Sequence, residues 1–283
     1  MLILIVLTGL ITPARATPRE RQASEAVQKI PEAARSCFAR ARAAESQSDW
    51  KTAETEYLKA IELSPTWVEA IANLGTVYNR MGRPGDAITT FIRATGIDPN
   101  VFGLQLDLGI TYFKLGRYPE AEGPLRKAVS LDSAGSQASS IQASTLLMLA
   151  LFAQDKYAEV TQIAEKLLST SPDDPLVLET AGRAYFSLHD YKNAARTLQR
   201  RLTKKPETAE LFLMLGQALD NTGDGDSAIA ALERAIALSG DTPLPDEHFD
   251  LGYILWKQRQ FDRAEGEFRK ELSRAPDHAP STY

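Results

Sequence analysis

The chain has 283 residues and carries 37 acidic against 32 basic ones, a formal charge of −5. So acidic a chain argues against nucleic acid as a general partner. Its single cysteine, Cys37, excludes an internal disulfide, and the isolated histidines His189, His248 and His278 stand at no metal-ligand spacing from one another.

The chain opens on Met-Leu-Ile-Leu-Ile-Val-Leu-Thr-Gly-Leu-Ile, an apolar run too short to span a bilayer as a helix. Pro13-Ala14-Arg15-Ala16 follows, and Ala14-x-Ala16 is a small-residue cleavage pattern. Residues 1–16 are read as a secretory signal peptide, with the mature chain starting at Thr17 and exported to a periplasmic or extracellular location. No basic residue precedes the apolar run, which a start codon placed too late would explain, as would a short uncleaved anchor, the one membrane contact expected. Residues 17–33, with Ala23, Val27 and Ile30 at helical spacing, form either a short leading helix or a loose arm. Cys37 lies on the apolar side of the first repeat helix and is expected as a small buried core residue.

From there the apolar residues recur at three- and four-residue steps, and Gly, Pro and Asp punctuate them in pairs. The predicted helix pairs are 32–46 with 50–63, 67–80 with 86–96, and 101–115 with 119–131. Four further pairs lie within 141–169, 175–204, 209–238 and 246–274. Residues 133–140 hold five extra residues, a longer loop or an extension of the next helix, and are not taken for a domain boundary. No strand pattern occurs.

The pairs share one register. Ala41, Gly75, Gly109, Met148, Gly182, Gly216 and Gly252 form one column, spaced by 34 residues apart from insertions of five and two. Ala53, Ala87, Ala121, Val160, Ala194, Ala228 and Ala264 form a second at the same offsets. Pro65, Pro99, Pro172, Pro206 and Pro276 close five units, with Ser133 and Gly240 as substitutes. Small residues are needed where two helices touch backbone to backbone, and a breaker where each pair ends.

Leu74-Gly75, Tyr78, Ala87, Phe91 and Pro99 in one unit resemble the tetratricopeptide repeat, as do Leu108-Gly109, Tyr112, Ala121 and Ala128 in the next. Tyr185, Ala194 and Pro206 continue the pattern, as do Leu215-Gly216 with Ala228, and Leu251-Gly252 with Ala264, Phe268 and Pro276. The unit around Met148 departs most, with Val160 and Ala164 where alanine and an aromatic are usual. The resemblance implies an all-α, right-handed superhelical solenoid of about seven units over residues 34–278. The units are 34–67, 68–101, 102–135, 141–174, 175–208, 209–242 and 245–278, followed by a tail, 279–283. The last helix carries Glu265 and Arg269 where the second unit has Ile88 and Ile92, so the array is expected to end there on a polar face.

Signatures of catalysis are missing: there is no nucleophile elbow, phosphate loop, paired-carboxylate or haem-attachment pattern, so no enzyme activity and no cofactor is expected. Asp220-Asn-Thr-Gly-Asp-Gly-Asp226 resembles the start of a calcium loop, but Ala231 stands at the twelfth position where a glutamate is required. Its place in the register makes it an inter-helix turn, with Gly and Asp as caps. Arg196, Arg200, Arg201, Lys204 and Lys205 form a basic run near a helix C-terminus, where positive charge is favoured. Tetratricopeptide domains that clasp acidic chaperone C-termini carry a Lys, Arg and Asn set; Asn73 alone is equivalent, so that function is not supported.

The resemblance implies that first helices line a concave groove and that the partner is a protein or peptide. Leu106, Ile110, Phe113, Leu149, Phe152 and Phe186 are the expected apolar stripe, with Arg183 beside it and a second cluster of Phe249, Tyr253 and Trp256. The expected function is a non-enzymatic interaction scaffold that binds a peptide or helix. A periplasmic component of a polysaccharide-export, secretion or envelope-assembly complex is the alternative, and a regulatory fragment of an enzyme is a third.

Overall fold

The computed structural model describes residues 30–131, 137–204, 207–240, 242 and 244–274. The signal-peptide reading, most of the 17–33 segment, residues 133–136 of the insertion, Lys205, Pro206, Pro276, His278 and the tail lie outside the described residues. Among those described there are fourteen α-helices and no strand. None is long and apolar enough to cross a membrane.

The chain divides into two compact units, one up to Arg83 and one from Pro84. The first holds α1 (Glu32–Ser46), α2 (Trp50–Leu63) and α3 (Val68–Arg80). The second begins with α4 (Pro84–Ile97), α5 (Phe102–Lys114), α6 (Tyr118–Leu131), α7 (Gln137–Phe152) and α8 (Tyr157–Thr170). It continues through α9 (Pro175–Ser187), α10 (Tyr191–Leu202), α11 (Ala209–Thr222), α12 (Gly225–Ser239), α13 (Glu247–Lys257) and α14 (Phe261–Arg274). These bounds follow the sequence pattern closely, because the alternation of apolar stripe and breaker sets them. Residues 137–140 of the insertion lengthen α7 at its start, as one of the two expectations had it.

Within each unit the hairpins are built on the two small-residue columns. In the second unit the register glycines are buried and face a large side chain sixteen residues on. A Cβ on Gly182 would lie 2.7 Å from Leu198 Cδ2, on Gly216 2.6 Å from Leu232 Cγ, and on Gly252 2.7 Å from Phe268 Cε1. The absent Cβ therefore sets how closely the helices approach. The alanine column is closed off: Ala53, Ala87, Ala121, Val160, Ala194 and Ala228 are 0% exposed and Ala264 2%. Burying each paired leucine contributes roughly 2 kcal/mol. Met148 and Ala164 reverse the sizes across the weakest unit, methionine on the first helix and alanine on the second, and both are buried. The volume of the column is thereby kept.

The turns repeat as well. One residue in each hairpin turn is left-handed, at the same offset after the register position: Ser48, Gly82, Gly116, Asp155, His189, Gly223 and Arg259. Gly223 (φ 85°) caps α11, and the Asp224 carboxylate accepts from Ser227 N (3.2 Å), so the calcium-like stretch is a helix stop followed by a helix start. Cys37 is buried in α1. Of the basic run, Arg201 is buried against Glu179 (3.2 Å) and Lys204 pairs with Asp173 (3.2 Å), which makes it structural. On α14, Glu265 and Arg269 are exposed and paired, whereas their counterparts divide: Ile88 is buried and Ile92 is 49% exposed. Only the first of those two positions is a packing column.

Candidate functional site

In the second unit α5 touches α7, α7 touches α9 and α11 touches α13, so the first helices within each of these two groups are neighbours and present a shared face. The ten residues expected on that face occupy four settings. Leu106 is buried at 7% exposure and belongs to the core, because α5 is enclosed on more sides than its periodicity suggests. Ile110 and Leu149 are half-buried. Arg183 is half-buried and tied to Glu179 (3.2 Å), the carboxylate that also holds Arg201.

The three phenylalanines do something the sequence reading missed. Each stands at the end of a first helix and meets, edge to face, the tyrosine that opens the next. Phe113–Tyr118, Phe152–Tyr157 and Phe186–Tyr191 have ring centroids 5.3, 5.5 and 5.5 Å apart and interplanar angles of 69, 66 and 76°. They clasp the hairpin turns. The signal was in the chain as a recurrent Phe-x4-Tyr, but that spacing crosses a turn, where helical periodicity carries no information.

The C-terminal cluster is of another kind. On α13, Leu251, Ile254 and Leu255 are buried and Gly252 receives Phe268, while Phe249, Tyr253 and Trp256 fall four and three residues apart on the remaining face. Their rings stack in a row: Phe249–Tyr253 at 6.2 Å and 20°, Tyr253–Trp256 at 6.2 Å and 22°. Phe249 is half-buried and leans on Phe268, whereas Tyr253 is 44% and Trp256 54% exposed.

Beside this row lies a cleft of about 510 Å³ between α11 and α13, lined by Gln217, Asp220, Asn221, Phe249, Asp250, Tyr253, Ile254 and Lys257. Lys257 Nζ pairs with Asp220 (2.6 Å) and sits 5.4 Å from the centroid of the Tyr253 ring. Gln217 Nε2 donates to Asp250 Oδ2 (2.7 Å). Burial, together with Asp246, Asp220 and Glu271 nearby, pushes the Asp250 carboxyl up to about 6. Gln217 and Asp220 are legible as first-helix residues beside the seam. Asp250 was not singled out, although it stands two residues before its register glycine, as do Asn73 and Asp107. Burial raises the Asp107 carboxyl too, and Asn73 donates to the Tyr57 hydroxyl (3.1 Å). No cluster of three or more metal-ligating side chains occurs among the described residues.

The tetratricopeptide repeat family model matches residues 73–138 and 180–243. Among curated relatives, the chain is 24% identical to the BBSome complex member BBS4 of Bos taurus over 66% of this chain and 35% of that protein. It is 25% identical to the cellulose synthase 2 operon protein C of Komagataeibacter xylinus over 68% of this chain and 16% of that one. The chain thus spans about a third or less of the length of the curated relatives it matches. Among solved structures it is similar to YrrB, a TPR protein with an unusual peptide-binding site, at 15% identity and a TM-score of 0.57, covering 72% of this chain and 97% of YrrB. That likeness shows the fold alone. The shared register, the repeated helix hairpins and the family match identify residues 73–138 and 180–243 as tetratricopeptide repeats.

Proposed function

We propose that the chain is a non-enzymatic protein-interaction scaffold whose first-helix face takes an extended peptide or an amphipathic helix of its partner, with the α13 aromatic row as anchor. The observation that carries this is the exposure of Tyr253 and Trp256, 44% and 54%, in a stacked row beside an open cleft. Exposed aromatic surface next to a cleft marks interaction sites, and such anchors are worth roughly 2 kcal/mol or more each on truncation. Grooves of this kind take helices and extended segments. The similarity to YrrB, with its peptide-binding site, supports the reading. The test is affinity capture with the full chain and with Tyr253→Ser/Trp256→Ser. Partners recovered by the first and lost by the second, at unchanged helical circular dichroism, bear the proposal out; equal recovery contradicts it.

Export is part of the proposal and rests on the apolar run and Ala14-x-Ala16. N-terminal sequencing should find Thr17 first; an intact Met1 on cytoplasmic protein sinks it. The similarity to the cellulose synthase operon protein favours, as a second reading, a place in a polysaccharide-export or envelope-assembly complex. A capture set made up of polysaccharide-synthesis or secretion proteins would select it.

A further inference from the structure

We infer that the α11–α13 cleft selects a positively charged side chain, arginine or lysine, of the protein partner, held by the Asp250 carboxylate against the Phe249 and Tyr253 rings. This rests on the scaffold reading and specifies the chemistry of its ligand.

Asp220 and Lys257 neutralise each other at 2.6 Å, which leaves Asp250 as the carboxylate of the cleft lining without a cation. One of its oxygens accepts from Gln217; the other has no protein partner among the described residues. The groups that face it are Gln217 and Asp220 from α11, Asp246 and Lys257 from α13 and its cap, and Glu271 from α14. Three of these five are acidic and the one cation is already bound to Asp220. An incoming anion would meet this excess of negative charge, and a neutral apolar group would leave the carboxylate buried and unpaired, which is costly. A guanidinium or ammonium removes both penalties.

The chain's own Lys257 displays the geometry. Its ammonium lies between a carboxylate, Asp220, and an aromatic face, the Tyr253 ring. A ligand cation one turn back would find the same pairing, with Asp250 as counter-ion and the Phe249–Tyr253 stack as the ring surface. The opening holds a side chain with room to spare, since about 510 Å³ exceeds what a guanidinium and its stem fill. Because the bound cation requires ionised Asp250, binding takes up no proton at neutral pH and must displace one in acid.

The experiment is a heteronuclear NMR titration of the full chain with N-acetyl-arginine amide and with its neutral isostere, N-acetyl-citrulline amide. The arginine derivative should shift signals of α11 and α13, with the citrulline derivative at least about tenfold weaker. Asp250→Asn should lose a similar factor while its Tyr253 and Trp256 signals keep their native dispersion. Acidification from about pH 7.5 to about pH 5 should weaken the wild-type interaction several-fold. Equal binding of both derivatives in the cleft overturns the inference and leaves the scaffold reading standing. Absence of shifts there with either compound also overturns it, and the capture experiment then decides the scaffold reading on its own. Should Asp250→Asn fail to fold, the comparison of the two derivatives on the wild-type chain carries the test.

Discussion

A Cβ placed on Gly109 would lie 2.6 Å from both Cγ and Cδ2 of Leu125, closer than two carbon atoms can approach. Leu125 is itself 0% exposed, so it has nowhere to retreat. Gly109→Ala should therefore cost about 1–3 kcal/mol, read as a shift in the urea midpoint. Gly123, inside α6 with nothing within 4 Å of its would-be Cβ, is the control. Gly123→Ala should gain about 0.5–1 kcal/mol from helix propensity. If both substitutions move stability the same way, the close approach is not what the glycine column is for.

The turn clasps give a second expectation. Phe152 and Tyr157 should show a coupling energy of about 0.5–1.5 kcal/mol in a double-mutant cycle with leucine at each position. A coupling indistinguishable from zero would mean that the rings meet without stabilising the hairpin, and would return Phe152 to the list of groove anchors.

Arg259 occupies with φ 61° the left-handed turn position that Gly82, Gly116 and Gly223 fill elsewhere. An L side chain there is strained by about 1 kcal/mol or somewhat more. Arg259→Gly should raise the thermal midpoint by a few degrees, allowing for the added chain entropy of glycine. A lowered midpoint would show that the arginine makes compensating contacts.

The repeat was legible because it rests on residue size. Small side chains at Ala53, Ala121 or Gly216 are required wherever two helix backbones approach, so the columns show in the chain without reference to tertiary structure. Even Met148 obeyed the rule, once Ala164 is seen as the small member of its pair. The site was less legible, for two physical reasons. Periodicity says that Phe113, Phe152 and Phe186 share a face, but not that each stands at a helix end with a tyrosine waiting across the turn. Nor does it say how many neighbours enclose a face, which is why Leu106 is core and Tyr253 is not. The cleft needed two helices that lie 33 residues apart at Gln217 and Asp250, a contact that no local pattern announces.

Asp250 links site and stability. Its carboxyl is pushed up to about 6 in the fold, chiefly by burial, from an ordinary value of 3.8. The folded state therefore holds this proton to higher pH than the unfolded chain, and stability falls as pH rises from about 4 through about 6. Asp250→Asn should match the wild type near pH 4 and exceed it by about 2 kcal/mol above pH 7, in urea titrations at the two pH values. A variant less stable than wild type above pH 7 would reverse the sign and show the ionised carboxylate to be favourable in the fold.

Site-specific photocrosslinking tests most directly whether the partner lies on the first-helix face of the last hairpins. A benzophenone side chain placed at Trp256 should capture partner in high yield. The same group at Leu238, an exposed apolar position at the end of second helix α12, should capture little or none. Crosslinking from Leu238 with none from Trp256 would place the partner on the opposite face and contradict the account.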